Sequence, residues 1–242
     1  MRVRAAQPRE LFVFAASSLR EAFTDLAASF ERAHPGAKVV LSLAGSQELR
    51  TQVENGAPAD VLALADVRHM QALLAERLVS APRTFTRNEP VIVVPKQNPA
   101  GLKGLGDLPK AKRIVVGAPE VPIGAYSLRI LDAAEARYGA GFRAAVEARV
   151  VSREANVRQA MAKVGLGEAD AAIVYRTDAA VFASAVDVIA IPPELNVVAE
   201  YPVATATKAR QPQLAREFVE LLLSAAGQET LTRHGFQAGT RG

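Results

Sequence analysis

Short apolar runs alternate with helix-period segments along almost the whole chain, and no other feature restricts the fold so strongly. Residues 11–15, 39–43, 61–65, 91–95, 114–117, 148–151, 171–175 and 203–207 read as short strands. Residues 18–34 put Leu19, Phe23, Leu26, Ala27 and Phe30 on one helical face, and Pro35-Gly36 stops that helix. Further helices are expected over 47–55, 67–78, 124–138 and 157–164, and a last amphipathic one presents Leu214, Phe218, Leu221 and Leu222. The pattern predicts an α/β chain, long enough for one large domain or two small ones.

The two halves echo each other. Ser46-Gln47-Glu48-Leu49-Arg50, then Gly56-Ala57-Pro58-Ala59-Asp60 and an apolar run, forms one copy. Asn156-Val157-Arg158-Gln159, then Gly167-Glu168-Ala169-Asp170 and an apolar run, forms the other. Either this is the general likeness of α/β units, or it marks two similar lobes with a ligand cleft between them. Asp60 and Asp170 are expected to tie down turns.

Several functions are excluded on chemistry. With no Cys there is no disulfide, no thiolate catalysis and no Cys-ligated metal. His34, His69 and His234 are the only histidines. One stands beside a turn, one in an exposed-looking helix and one near the C-terminal end, and none has a candidate serine nucleophile or metal-ligand spacing beside it. No Walker loop or GxGxxG follows a strand, so no enzymatic activity is expected. A formal charge of +4 and a pI near 9.6 invite a nucleic-acid reading. The basic residues are scattered, however, and aromatics are only 5% with no Trp, so no nucleic-acid partner is expected. No stretch approaches the roughly 18 to 20 apolar residues of a membrane span. Met1-Arg2-Val3-Arg4-Ala5-Ala6-Gln7 lacks the apolar core of a signal peptide, so the chain is expected either to stay in the cytoplasm or to be a mature form.

What remains is a set of strand-to-helix junctions of similar chemistry. Phe14-Ala15-Ala16-Ser17-Ser18-Leu19 leaves a strand through small residues and a serine expected to cap a helix, and Leu43-Ala44-Gly45-Ser46-Gln47-Glu48 repeats this. Glu120-Val121-Pro122-Ile123-Gly124-Ala125-Tyr126 opens a third helix with a Pro and a Gly, and Glu154-Ala155-Asn156-Val157-Arg158 opens a fourth. Helix starts present unpaired N–H groups and a partial positive charge, so they suit anions. A single junction of this kind is more often a plain N-cap; four together favour an anion site. The dipoles alone are too weak, at about 0.3 to 2 kcal/mol each. Nanomolar binding needs about 12 kcal/mol, so six or seven charge-assisted hydrogen bonds of roughly 1.5 to 3 kcal/mol are required.

These junctions are also where the chain resembles a known family. Val13-Phe14-Ala15-Ala16-Ser17-Ser18-Leu19, Ala44-Gly45-Ser46, Gly56-Ala57-Pro58-Ala59-Asp60, Val121-Pro122-Ile123-Gly124-Ala125-Tyr126 and Gly167-Glu168-Ala169-Asp170-Ala171-Ala172-Ile173-Val174-Tyr175 follow the order and spacing of the periplasmic molybdate-binding proteins of bacterial ABC importers. Tyr201-Pro202-Val203-Ala204 and Gly235-Phe236 extend the resemblance to about residues 11–236.

The resemblance implies a two-lobe type II periplasmic-binding-protein fold, each lobe a mixed sheet flanked by helices. Lobe 1 is expected over 1–87, completed by 201–242, and lobe 2 over 88–200, with two crossing strands near 88–91 and 200–203. It implies a molybdate or tungstate oxyanion in the cleft, held by the Ser18 and Ser46 hydroxyls, the Ile123 and Val157 amides and the Tyr175 hydroxyl. Ser17, where many relatives have Ala, Gln47, where many have Ser, and Asn156 are possible additional contacts. No acidic residue is expected at the matching junctions, so the metal is expected only as the four-coordinate oxyanion. Substituting Ser18 or Ser46 is expected to leave the empty fold nearly intact. No cofactor is implied; the partners are the oxyanion and an ABC permease at the membrane, with a monomer in the periplasm or outside the cytoplasm.

The alternatives are a sulfate- or phosphate-type carrier on the same fold, the sensing domain of a LysR-like regulator, and an enzyme such as porphobilinogen deaminase. The regulator would need a helix-turn-helix ahead of residue 11, and the deaminase needs a cysteine that the chain lacks.

Overall fold

The computed structural model describes residues 9–239. Residues 1–7, read above for a targeting signal, lie outside the described residues. From the start, the chain runs β1 (Arg9–Ala16), α1 (Arg20–Ala33), β2 (Ala37–Ala44), α2 (Ser46–Glu54), β3 (Val61–Ala63), α3 (Val67–Ala75), β4 (Val79–Asn88) and β5 (Pro90–Pro95). Then come β6 (Ile114–Gly117), α4 (Pro122–Tyr138), α5 (Phe142–Glu147), β7 (Val150–Glu154), α6 (Val157–Gly165), β8 (Ala171–Tyr175), α7 (Arg176–Val181) and β9 (Val186–Ile189). The last elements are β10 (Ala199–Ala206), α8 (Pro212–Leu223), α9 (Ala225–Arg233) and β11 (Gln237–Ala238).

Two compact units result, each an α/β sheet flanked by helices. One holds the chain up to Thr86 and again from Glu200; the other is Arg87–Ala199. The chain therefore passes between them at the end of β4 and the start of β10.

The first unit's sheet has the order β11-β4-β10-β3-β1-β2. β1 lies parallel to both β2 and β3, with Val13 opposite Leu41 and Val61, while β10 runs antiparallel to β3. Apart from its first two residues β1 has almost no exposed position, as expected of a parallel strand covered on both faces. One side of the core is aromatic: Phe23 of α1 packs edge-on against Phe85 and Phe218, and Phe30 against Phe218. The face presented by α8 is Leu214, Ala215, Phe218, Val219 and Leu222, with Leu221 only half-buried.

The second unit's sheet has the order β7-β6-β8-β5-β9. β6 is parallel to β7 and β8, and β5 is antiparallel to β8 and β9. Strand for strand, β2-β1-β3-β10 and β7-β6-β8-β5 are the same arrangement: three parallel strands and one antiparallel neighbour.

The sequence echo is this repeat. α2 and α6 each end in a glycine in the left-handed region, Gly56 (φ 85°) and Gly167 (φ 74°), a conformation that a side chain would oppose. Both ends close alike, Gly56 N–H onto Val53 O with Ala57 N–H onto Gln52 O, and Gly167 N–H onto Val164 O with Glu168 N–H onto Lys163 O. Asp60 then accepts main-chain N–H groups from Phe12 and Gln211, and Asp170 accepts them from Lys112 and Arg113. Each aspartate stands one residue ahead of its strand, β3 or β8, and ties down the turn there, as expected.

Candidate functional site

Parallel strands end on the same edge of a sheet, and α/β proteins place their ligands there. In the first unit β1 and β2 finish with Ala16 paired to Ala44, so Ser17-Ser18 and Gly45-Ser46 leave that edge side by side. The expectation that these serines cap helices is corrected. The chain makes a 3-10 turn, Ser17–Leu19, before α1, and neither α1 nor α2 has a side-chain cap. The hydroxyls work elsewhere. Ser18 Oγ lies 2.9 Å from the hydroxyl of Tyr201 in β10, and Ser46 Oγ accepts the Ala65 N–H at 2.9 Å. All three side chains are buried. Because it accepts the Ala65 N–H, the Ser46 hydroxyl keeps its own hydrogen to donate elsewhere. Ser17 is buried in the same turn, and half-buried Gln47 reaches Glu48 through a long 3.4 Å contact.

In the second unit β6 and β7 finish with Gly117 paired to Glu154, and β8 finishes at Tyr175. α4 opens with Pro122 and Ile123 at its first two positions. Its third residue must be glycine: a Cβ on Gly124 would lie 2.0 Å from Ala118 O and 2.5 Å from Gly117 O. That closeness seats the helix start on the end of β6. Ile123 and Val157 are buried at helix starts, where an N–H has no acceptor within its own helix. Asn156 is the helix cap of α6, its side chain accepting from Gln159 N–H at 3.1 Å. A cap is the role this observation gives it.

Tyr175 is buried at the start of α7, with its ring edge-on to Tyr126, 6.5 Å between centroids. The first turn of α7 is tied down at each residue. Arg176 pairs with Glu89, Thr177 accepts from Asn88 at 2.8 Å, and the fully buried Asp178 pairs with Arg158 of α6 at 2.7 Å. The Arg158–Asp178 pair thus locks together the two helix starts that present Val157 and Tyr175.

The structure therefore brings Ser17, Ser18, Ser46 and Gln47 to one sheet edge in the first unit. Ile123, Asn156, Val157 and Tyr175 come to the equivalent edge in the second. Sequence reasoning missed Tyr201 and the Arg158–Asp178 pair. Tyr201 stood in a matched motif, but nothing local linked it to Ser18, 183 positions away.

Two expectations need correction. An acidic residue does stand at a matching junction: Glu154 ends β7, bonded to Lys163 at 2.8 Å and to Ser152. Burial alone would raise its pKa, but the bonds from Lys163 and Ser152 hold it below the ordinary carboxylate range. It is a carboxylate already matched by a cation. His69 is buried rather than exposed, packed at the start of α3 with its N–H on the capping carboxylate of Asp66. His34 stacks on Phe30 and meets Glu217, and His234 meets Asp25. Among the described residues no group of three or more His, Cys, Asp or Glu could hold a metal ion.

A family model described as bacterial extracellular solute-binding protein matches residues 11–237. The chain belongs to that family. It is similar to the molybdate-binding protein ModA of Mycobacterium tuberculosis, 37% identical over 230 residues, covering 94% of this chain and 84% of that protein. Among solved structures, the substrate-binding domain of a putative molybdenum ABC transporter from Clostridium difficile is 26% identical at a TM-score of 0.70, covering 95% and 98% of the two chains. The sulfate-binding protein SubI of Mycobacterium tuberculosis superposes at a TM-score of 0.85 over 95% of this chain and 87% of that one, but at 17% identity it speaks for the fold alone. The fold is that of the type II periplasmic binding proteins.

Proposed function

We propose that this solute-binding protein takes molybdate as an unprotonated tetrahedral oxyanion, outside the cytoplasm, and delivers it to an ABC permease without chemical change. Tungstate, of like shape and charge, is taken by the same groups. The observation behind this reading is that Ser18, Ser46, Ile123, Val157 and Tyr175 all stand where parallel strands end, at equivalent edges of the two units. The relatives named for molybdate across nearly the whole chain support the choice of anion.

The donor set also accounts for selectivity. Amides and hydroxyls donate, which suits an anion with four acceptor oxygens and no hydrogen. Phosphate near neutral pH keeps a proton and needs an acceptor; leaving that O–H buried without one costs roughly 1 to 3 kcal/mol. The carboxylates beside these groups, Glu154 and Asp178, are engaged by Lys163 and Arg158. Sulfate has shorter bonds to oxygen and reaches fewer donors at once.

The test is calorimetric titration of the purified protein at neutral pH. Molybdate and tungstate are expected within about tenfold of each other, sulfate far weaker and phosphate without measurable heat, since each missed or unmatched buried group costs about tenfold or more. Phosphate binding as tight as molybdate would refute the assignment.

A further inference from the structure

Resting on the molybdate reading, we infer that Tyr201 is a positioning residue for the anion: its hydroxyl donates to Ser18 Oγ and thereby turns the serine's own hydrogen toward the ligand. Tyr201 lies on β10, is wholly buried, and stands 2.9 Å from Ser18 Oγ. Its ring is held edge-on by buried Phe236, 5.7 Å between centroids at 77°.

Two hydroxyls in contact can be polarised either way, and the ligand decides which. An oxyanion with only acceptors draws the Ser18 hydrogen, so the serine oxygen is left to accept from Tyr201. Ser46 shows the same device in a form that allows no choice, because the Ala65 N–H behind it can only donate. Each proposed serine thus has a donor at its back and gives its hydrogen forward. Chained hydrogen bonds of this kind polarise one another, so the tyrosine strengthens a contact it does not itself make. The sense of the chain also favours acceptor-only anions over protonated ones.

Tyr201→Phe keeps the ring and removes only the oxygen. Molybdate titrations of the wild type, Tyr201→Phe, Ser18→Ala and the double variant form a cycle. Tyr201→Phe should weaken binding about three- to tenfold, the range of one net hydrogen bond. The double variant should bind no more weakly than Ser18→Ala alone, because the tyrosine acts only through the serine. Independent effects that multiply in the double variant, or wild-type affinity in Tyr201→Phe while Ser18→Ala is impaired, would overturn the inference and leave the molybdate reading standing. A wild-type protein that gives no heat with molybdate overturns both. Should Tyr201→Phe not fold, Phe236→Leu loosens the ring without touching its hydroxyl. Its effect on affinity should likewise vanish when Ser18 is alanine, and persistence there overturns the inference.

Discussion

Replacing Ser46 by alanine separates the proposed binding role of this hydroxyl from its structural one, the acceptance of the Ala65 N–H. In the bound protein the anion loses one charge-assisted hydrogen bond, about 1.5 to 3 kcal/mol, or roughly 10- to 150-fold in affinity. In the empty protein the Ala65 N–H loses its 2.9 Å contact with Ser46 Oγ at a site only 1% exposed, where water cannot readily substitute. That costs about 1 to 3 kcal/mol. For a chain of this size, at about 2 to 4 °C per kcal/mol, the melting temperature should fall by about 2 to 12 °C. The expectation drawn from sequence, that the empty fold would hardly notice, left out the Ala65 contact. Calorimetry with molybdate and thermal unfolding without it read the two quantities separately. Wild-type affinity accompanied by lowered stability would make Ser46 a structural residue and refute the ligand assignment. Lowered affinity with unchanged stability would refute the second half of the argument, that the Ala65 contact matters to the empty fold.

Three further outcomes follow from named contacts. Asp60→Asn should destabilise by roughly 2 to 4 kcal/mol in chemical denaturation, because both carboxylate oxygens accept main-chain N–H groups and an amide can accept at only one. Asp170 is held below the ordinary carboxylate range: burial opposes this, but N–H groups of Lys112 and Arg113 and the Arg113 guanidinium outweigh it. Its stabilisation is therefore full above the ordinary carboxylate pKa and lost as pH falls through the lower folded value, so the stability gap between wild type and Asp170→Asn should shrink on acidification in denaturation curves. Gly124→Ala should weaken molybdate binding as well as stability, read by calorimetry and circular dichroism, since the 2.0 Å approach to Ala118 O forces the start of α4 away from β6.

What could be read from the sequence follows a physical line. β6 and β8 have the bounds expected of them because their residues are apolar throughout and buried on both faces. β4 was not expected: Ser80, Pro82, Arg83 and Thr84 break the apolar run, much of its first half is exposed, and its place in the sheet comes from its neighbours β10 and β11. β7 was expected over 148–151 and lies at Val150–Glu154, because the preceding apolar residues belong to the short helix α5. The candidate site divides the same way. The positions of Ser18, Ser46, Ile123 and Val157 are legible because each sits at a boundary that Gly, Pro or small residues announce. Tyr201 and the Arg158–Asp178 pair act across sheet edges and between helices, and nothing local in the chain marks such a partner.

The two repeats supply different kinds of donor from the same topology, and this bears on how each can change. The first unit's proposed donors are side-chain hydroxyls, Ser18 in contact with the Tyr201 hydroxyl and Ser46 accepting the Ala65 N–H. A single substitution there removes a contact, so the chemistry of that half is written in side-chain identity. The second unit's proposed donors are the Tyr175 hydroxyl and the helix-start amides of Ile123 and Val157, and any non-proline residue would supply those amides. Its specificity lies in where the backbone is held: by Gly124 against the end of β6, by Asn156 capping α6, and by Arg158 on Asp178. Substituting Ile123 itself should matter little to binding, whereas substituting its neighbour Gly124, which offers no side chain at all, should matter a great deal. If the proposed donors hold the anion, the first unit's share depends on what the residues are, and the second unit's share, Tyr175 apart, depends on where the backbone is kept.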